Sequence, residues 1–177
     1  MYLISAYFDE NTNEILKHLQ QKIADKTGND FMIRNNVMPH LTISAIEARS
    51  VDVLIPAFEK VCRGKLQSLE EKSVANNTIN IVSVGQLFPR VIYAAPVLNE
   101  YMMNLSISIY NEFATISETN ISKFYQPYSW MPHITLGKCL DMEQMRQAFA
   151  VLQDLFMPID GRIAKIGLST VNPYRDC

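Results

Sequence analysis

Apolar residues along the chain alternate between short extended runs and segments with helical spacing. In the first half, Tyr2–Phe8 is apolar and β-prone and predicts a strand. Asn11 is a candidate cap for a helix whose apolar face holds Ile15, Leu16, Leu19 and Ile23. The segment FMIRNNVMPHLTISAIEA (31–48) predicts two extended pieces that are interrupted at Asn35–Asn36. A second helix is predicted from Val51, Leu54, Ile55, Phe58, Val61 and Cys62, and a hairpin from Lys65–Ser73 and Thr78–Leu87.

The second half repeats this order. Val91–Ala95 predicts a strand, and a helix follows with Leu98, Met102, Leu105 and Ile109 on one face. A polar stretch (117–129) leads to the extended segment WMPHITLGK. Asp141 can cap a last helix, and GRIAKIGLSTV closes the chain as a strand. Repetition at this scale predicts a single α+β domain (1–177) of two similar, pseudo-symmetric lobes, approximately 1–87 and 91–177.

The composition limits the choice of partners. With 177 residues, 48% apolar and 19% charged, the chain is typical of a globular domain with a real core. Its formal net charge is -2, whereas broad binding of nucleic-acid backbones needs a clear excess of Lys and Arg. A nucleotide, or the end of a short RNA, remains compatible with this charge.

The cysteines and the N-terminal segment point to the cytoplasm. Cys62, Cys139 and Cys177 are widely spaced and include no C-x-x-C pair, which argues against a disulfide framework and a zinc cluster. The first apolar run is too short for a signal sequence, and no basic segment precedes it. No run reaches the roughly 18 apolar residues of a membrane helix.

Two hexapeptides carry the strongest functional signal. Pro39–Ser44 reads PHLTIS and Pro132–Gly137 reads PHITLG, so both have the form Pro-His-aliphatic-Thr-aliphatic-small. Two of the three histidines of the chain lie in this context. In a strand, residues two apart point to the same face, so each His would share a face with the Thr that follows it. One lone His in a strand is most often structural, but a matched pair favours a functional site.

Paired His-Thr motifs suit phosphoryl transfer. One neutral imidazole can take a proton from water or a ribose hydroxyl, while the other, protonated, gives one to the leaving oxygen. The Thr hydroxyls can donate hydrogen bonds to phosphate oxygens as negative charge builds up. This scheme needs no metal or cofactor, and a two-histidine metal site would lack a third ligand at suitable spacing.

These motifs resemble those of the 2H phosphoesterase superfamily, which includes 2′-5′ RNA ligase-like proteins and cyclic phosphodiesterases. The resemblance implies antiparallel β-sheets flanked by helices, with a metal-independent site in a central cleft. It also implies that His40, Thr42, His133 and Thr135 form the catalytic set. Family members act on 2′,3′-cyclic phosphates, 2′-5′ linkages, RNA 3′ ends and ADP-ribose cyclic phosphate, so the substrate stays open.

We therefore expect a hydrolase that opens a 2′,3′-cyclic phosphate in a nucleotide or RNA. Cleavage or joining of 2′-5′ linkages, and a non-catalytic module that binds RNA ends, are the alternatives. Aromatic residues that could stack on a base or simply pack are Tyr125, Tyr128, Trp130, Phe88 and Tyr93, with packing favoured for Trp130. Basic candidates for a second phosphate or ribose contact are Arg34, Arg90, Lys138 and Arg175.

Overall fold

A computed structural model describes residues 1–71 and 77–170, without the side chains of 64–71. It contains seven strands and five helices in α+β order. The strands are β1 (Tyr2–Phe8), β2 (His40–Ala48), β3 (Thr78–Leu87), β4 (Val91–Pro96), β5 (Thr119–Ile121), β6 (Ile134–Gly137) and β7 (Ile159–Thr170). The helices are α1 (Glu10–Thr27), α2 (Phe31–Arg34), α3 (Ile55–Glu71), α4 (Glu100–Phe113) and α5 (Met142–Leu155).

The strands form one antiparallel sheet that closes into a six-stranded barrel. Its order is β1-β7-β3-β4-β6-β2, and a pairing between β1 and β2 completes the ring, with β5 attached at the edge of β2. In this ring β1 lies between β2 and β7, and β4 lies between β6 and β3. The ring thus consists of two sets of three strands, β2-β1-β7 and β6-β4-β3, which are joined by the β3–β7 and β2–β6 pairings. Closure leaves few unpaired strand edges and brings β2 beside β6, which are far apart in the chain.

Helices α1 and α5 pack against each other and against the sheet, whereas α4 packs against β2, β5 and α3. Their apolar faces follow the 3.6-residue period, and the strands contribute alternate residues to the same core. This core includes Ile4, Leu16, Ile23, Leu41, Ile92, Leu105, Ile134 and Leu136, all fully or almost fully buried. Within the described ranges, no helix is both long enough and apolar enough to cross a membrane.

Two segments that the pattern predicts as extended are helical. Residues 31–34 form α2, and α3 continues as far as Glu71, so the first arm of the predicted hairpin does not exist over Lys65–Glu71. Residues 72–76 lie outside the described part of the chain. Short apolar runs fit a helix face as well as a strand, and tertiary packing decides between them.

The helix caps are partly as expected. Asp141 caps α5 in a full capping box, since its carboxylate accepts from the Gln144 N–H while the Gln144 side chain accepts from the Asp141 N–H. At α1 the expected cap, Asn11, is wrong. The helix begins earlier because Asp9 accepts a hydrogen bond from the Thr12 N–H at 3.0 Å.

The structure differs at Cys139 from the expectation that the cysteines are not paired in disulfides. Cys62 is free, but Cys139 is disulfide-bonded. Cys177 lies outside the described residues. Sequence spacing does not determine which cysteines pair, so the absence of a C-x-x-C motif was a weak indicator of redox state.

Candidate active site

The pairing of β2 with β6 brings the two motifs together. Leu41 pairs with Ile134 in antiparallel register, and both side chains are fully buried. Residues that flank Leu41 and Ile134 along the chain point to the face opposite these two side chains. His40, Thr42, His133 and Thr135 therefore share one face of the sheet. Regular pairing would place His40 opposite Thr135 and Thr42 opposite His133, with the histidines as diagonal neighbours roughly 7–8 Å apart.

Both imidazoles are held in the same way. His40 Nδ1 lies 2.8 Å from the Met38 carbonyl oxygen, and His133 Nδ1 lies 3.0 Å from the Met131 carbonyl oxygen. A carbonyl can only accept, so each Nδ1 carries a proton and donates it. This leaves Nε2 of each ring as the nitrogen that can exchange a proton with a ligand.

The preceding prolines explain this repeated contact. Proline disfavours a helical conformation in the residue before it, so Pro39 and Pro132 favour extended backbone at Met38 and Met131. The methionine carbonyl two residues upstream then accepts from each imidazole. The proline of each motif therefore helps to orient the imidazole of the histidine that follows it.

The strands carrying the threonines are anchored through their backbones. The indole N–H of buried Trp130 donates to the Thr42 carbonyl at 3.0 Å, and buried Gln20 of α1 donates to the Thr135 carbonyl at 3.1 Å. Trp130 precedes the second motif but binds the first, so this bond ties the two motif segments together. Thr42 is 8% exposed, whereas Thr135 is half-buried.

The environments of the two histidines differ. Burial lowers the pKa of His133 below its ordinary value of 6.5, and the nearby His40 lowers it further. The hydrogen bond to the Met131 carbonyl opposes this shift because it favours the protonated ring. The net result favours neutral His133, the state in which Nε2 can accept a proton.

A tyrosine flanks each histidine. Tyr93 pairs with Thr135, and its ring centroid lies 5.7 Å from that of His133 in an edge-on arrangement. Tyr7 pairs with His40, with the ring centroids 6.1 Å apart. The sequence could not assign Tyr7 to the site, because its proximity to His40 depends on the register between β1 and β2.

Glycines on the neighbouring strands leave room for both tyrosine rings. A Cβ atom at Gly85 would lie 2.5 Å from the Tyr93 hydroxyl oxygen, and one at Gly167 would lie 2.8 Å from Cε2 of Tyr7. Any larger residue would therefore displace the ring beside each histidine. The alternating pattern of β3 and β7 gives no sign of this requirement.

The other aromatic residues predicted to contact a ligand differ in how exposed they are. Tyr125 packs against the core, and burial raises the pKa of its hydroxyl. Trp130 is buried, in line with the packing role favoured for it. Tyr128 is 83% exposed and has a φ of 67°, a left-handed conformation that is unfavourable for a bulky residue. Tyr128 is therefore the better placed of the two tyrosines to contact a ligand.

The predicted basic contacts lie away from His133. Arg90 donates to the carbonyl of Leu140, which follows the C-terminal end of β6, whereas His133 immediately precedes its N-terminal end. Lys138 also follows β6, with its ammonium 5.8 Å from the centre of the Phe31 ring. Phe88 is 86% exposed in the turn that joins β3 and β4. Arg34 forms an exposed ion pair with Asp30, and Arg175 lies outside the described residues.

Neither family models nor curated sequences identify the chain. It matches no model of a known protein family, and no curated protein matches it. Across the described residues, no three or more His, Cys, Asp or Glu side chains are grouped as metal ligands would be. The resemblance to 2H phosphoesterases therefore rests on the motifs and stays a prediction.

We expect Gln20→Met to destabilise the fold by roughly 1–3 kcal/mol, because it leaves the Thr135 carbonyl without its donor. Urea unfolding followed by circular dichroism measures this. Gln21→Met is the matched control, since Gln21 is exposed on the same helix and bonds only to Asp25 within the described residues. The control should change stability by about 0.5 kcal/mol or less. Equal effects would show that the Gln20–Thr135 bond contributes nothing.

For the hydrolysis of 2′,3′-cyclic nucleotides that the motifs predict, we expect Gly85→Ala to lower kcat/KM by roughly 10- to 100-fold while the fold is retained, because the new Cβ displaces Tyr93 from His133. The comparison is a double-mutant cycle with Tyr93→Ala. Once the ring is absent, adding Gly85→Ala should cost little more. Fully additive losses would mean that Gly85 does not act through Tyr93.

Proposed function

We propose that the protein is a metal-independent phosphodiesterase of the 2H type, acting on a nucleotide or RNA-derived 2′,3′-cyclic phosphate. The observation that carries the proposal is the Leu41–Ile134 pairing, which puts two matched His-x-Thr sequences on one face. The matched Nδ1 hydrogen bonds support it, because each leaves Nε2 available for proton transfer. A single structural histidine would need neither the second motif nor this repeated orientation.

The strand pairings also support the two-lobed arrangement expected from the repeat. A pseudo-twofold axis would exchange β1 with β4, β2 with β6, and β7 with β3, which matches the neighbours of each strand in the ring. The lobes would then be the strand sets β2-β1-β7 and β6-β4-β3, and the cleft would lie where β2 meets β6. Their bounds would differ from the predicted halves 1–87 and 91–177, because β3 would belong to the second lobe and β7 to the first.

The two histidines have separate roles in this proposal. His133, whose pKa is lowered by burial, takes a proton from the attacking water through Nε2. Protonated His40 gives its Nε2 proton to the ribose oxygen that leaves as its bond to phosphorus breaks. The Thr42 and Thr135 hydroxyls donate to the non-bridging oxygens, and the product is a phosphate monoester beside a free ribose hydroxyl.

We expect His40→Ala and His133→Ala each to lower turnover of 2′,3′-cyclic nucleotides by roughly 100-fold or more. His18→Ala is the matched control, because His18 is the third histidine and is exposed on α1. The assay is hydrolysis of a cyclic nucleotide panel with and without EDTA, with folding checked by circular dichroism. Near-full activity in either motif variant, or activity that needs added divalent metal, would refute the mechanism.

The same panel decides between the alternatives. Turnover of 2′-5′ linked RNA in preference to cyclic phosphates would assign the ligase or 2′-5′ phosphodiesterase function to these residues. Binding of RNA ends without turnover of any substrate would indicate the non-catalytic module. The non-catalytic alternative would not need both imidazoles oriented by matched Nδ1 hydrogen bonds, whereas both enzymatic alternatives use them.

The pH dependence tests the assigned roles. We expect a bell-shaped profile of kcat/KM whose acid limb lies below pH 6.5, because activity on that side is lost when His133 becomes protonated. The alkaline limb follows from loss of the proton that His40 must donate. We also expect His40→Asn to raise the pKa of His133, since it removes the neighbouring charge that lowers it. NMR titration of the His133 ring measures the second effect without any turnover. An unchanged or lower His133 pKa in His40→Asn would contradict the coupling.

A further inference from the structure

Three side chains form a row across the sheet beside the first motif. Tyr7 of β1 pairs with His40 on one side and with Lys165 of β7 on the other. Paired residues of antiparallel strands point to the same face, so Lys165 lies on the face that holds the histidines. Two strand spacings of about 4.8 Å separate its backbone from that of His40.

The Lys165 side chain lies over the Tyr7 ring and has no ion pair within the described part of the chain. Its ammonium nitrogen lies 5.4 Å from the centre of the Tyr7 ring, which is a favourable cation–π contact. The side chain is exposed, and no carboxylate within the described ranges forms an ion pair with it. A cation that has no acidic partner and is oriented by a ring beside His40 can receive an anion.

The equivalent positions on the second-motif side carry no charge in β3 and β4. On β3, the residues that share the face of Gly85 are Ser83 and Leu87, which pair with Ala95 and Val91 of β4. All four are uncharged. On these described strands, the cation beside the motifs is therefore on the His40 side.

We propose that Lys165, seated on Tyr7, binds a second phosphate of the substrate on the His40 side of the site. This inference rests on the proposed function and narrows it to a class of substrate. A nucleoside 2′,3′-cyclic phosphate that also carries a phosphate at its 5′ oxygen has the required two anionic groups. The preferred substrate is thus the cyclic-phosphate end of an RNA fragment, or a 5′-phosphorylated nucleotide, and not a nucleoside cyclic phosphate with a free 5′ hydroxyl.

The kinetic test compares three substrates that share one cyclic phosphate. They are adenosine 2′,3′-cyclic phosphate, its 5′-phosphorylated form, and the dinucleotide ApA ending in a 2′,3′-cyclic phosphate. The wild-type protein should favour the two forms with a second phosphate by roughly 10-fold or more in kcat/KM. Lys165→Met should remove this preference and leave the rate for the 5′-hydroxyl substrate nearly unchanged. Whether the monoester or the diester gains more identifies the source of the second phosphate.

Two control variants sharpen the comparison. Lys165→Arg keeps the charge and should keep most of the preference, whereas Lys22→Met removes an exposed charge from α1 and should change nothing. Equal losses on all three substrates in Lys165→Met would overturn the proposal, because they would place the lysine at the scissile phosphate. A preference that survives in Lys165→Met would overturn it as well.

A binding measurement separates this inference from the proposed reaction. Calorimetry with adenosine 2′-monophosphate and adenosine 2′,5′-bisphosphate needs no turnover. The bisphosphate should bind wild type roughly 10-fold more tightly, and Lys165→Met should abolish the difference. If no substrate is turned over but this difference is seen, the reaction is wrong and the phosphate subsite stands. If turnover is seen without the difference, the subsite is wrong and the reaction stands.

Discussion

The arrangement of the site depends on one short contact, the pairing of β2 with β6 through Leu41 and Ile134. Leu41–Ile134 is the only register pair between these two strands in the described part of the chain, and it is one of the six pairings that make up the barrel. Burial of the two aliphatic side chains stabilises it, and the Trp130–Thr42 hydrogen bond reinforces it from the segment before β6. Because alternate residues of a strand face opposite sides, the pairing that buries Leu41 and Ile134 also places the four polar residues of the motifs together on the opposite face of the sheet.

The motif residues could be predicted from the sequence because their geometry is local. A strand period of two places His and Thr on one face, and Pro-His fixes the orientation of the ring through a carbonyl two residues upstream. The strand Tyr2–Phe8, the capping box at Asp141 and the apolar helix faces were predictable on the same local grounds.

The remaining features depend on long-range register, which no local pattern contains. The place of Tyr7 beside His40, and of Lys165 beside Tyr7, follows from how β1 meets β2 and β7. A shift of one residue in either pairing would turn these side chains to the other face. The position of β3 between β4 and β7 depends on the same long-range pairing. Residues 31–34 were expected to be extended for a different reason, because a short apolar run fits a helix face as well as a strand.

Two nearly identical motifs become chemically distinct through their neighbours. Burial lowers the pKa of His133, which is bordered by Tyr93, and that ring can occupy its position only because Gly85 has no side chain. His40 is bordered by Tyr7, and the ring of Tyr7 makes a cation–π contact with the ammonium group of Lys165. Burial favours a neutral imidazole, and a nearby ammonium favours binding of an anion. In the proposed mechanism, these different neighbours on adjacent strands would divide a repeated sequence into a base half at His133 and an acid half at His40.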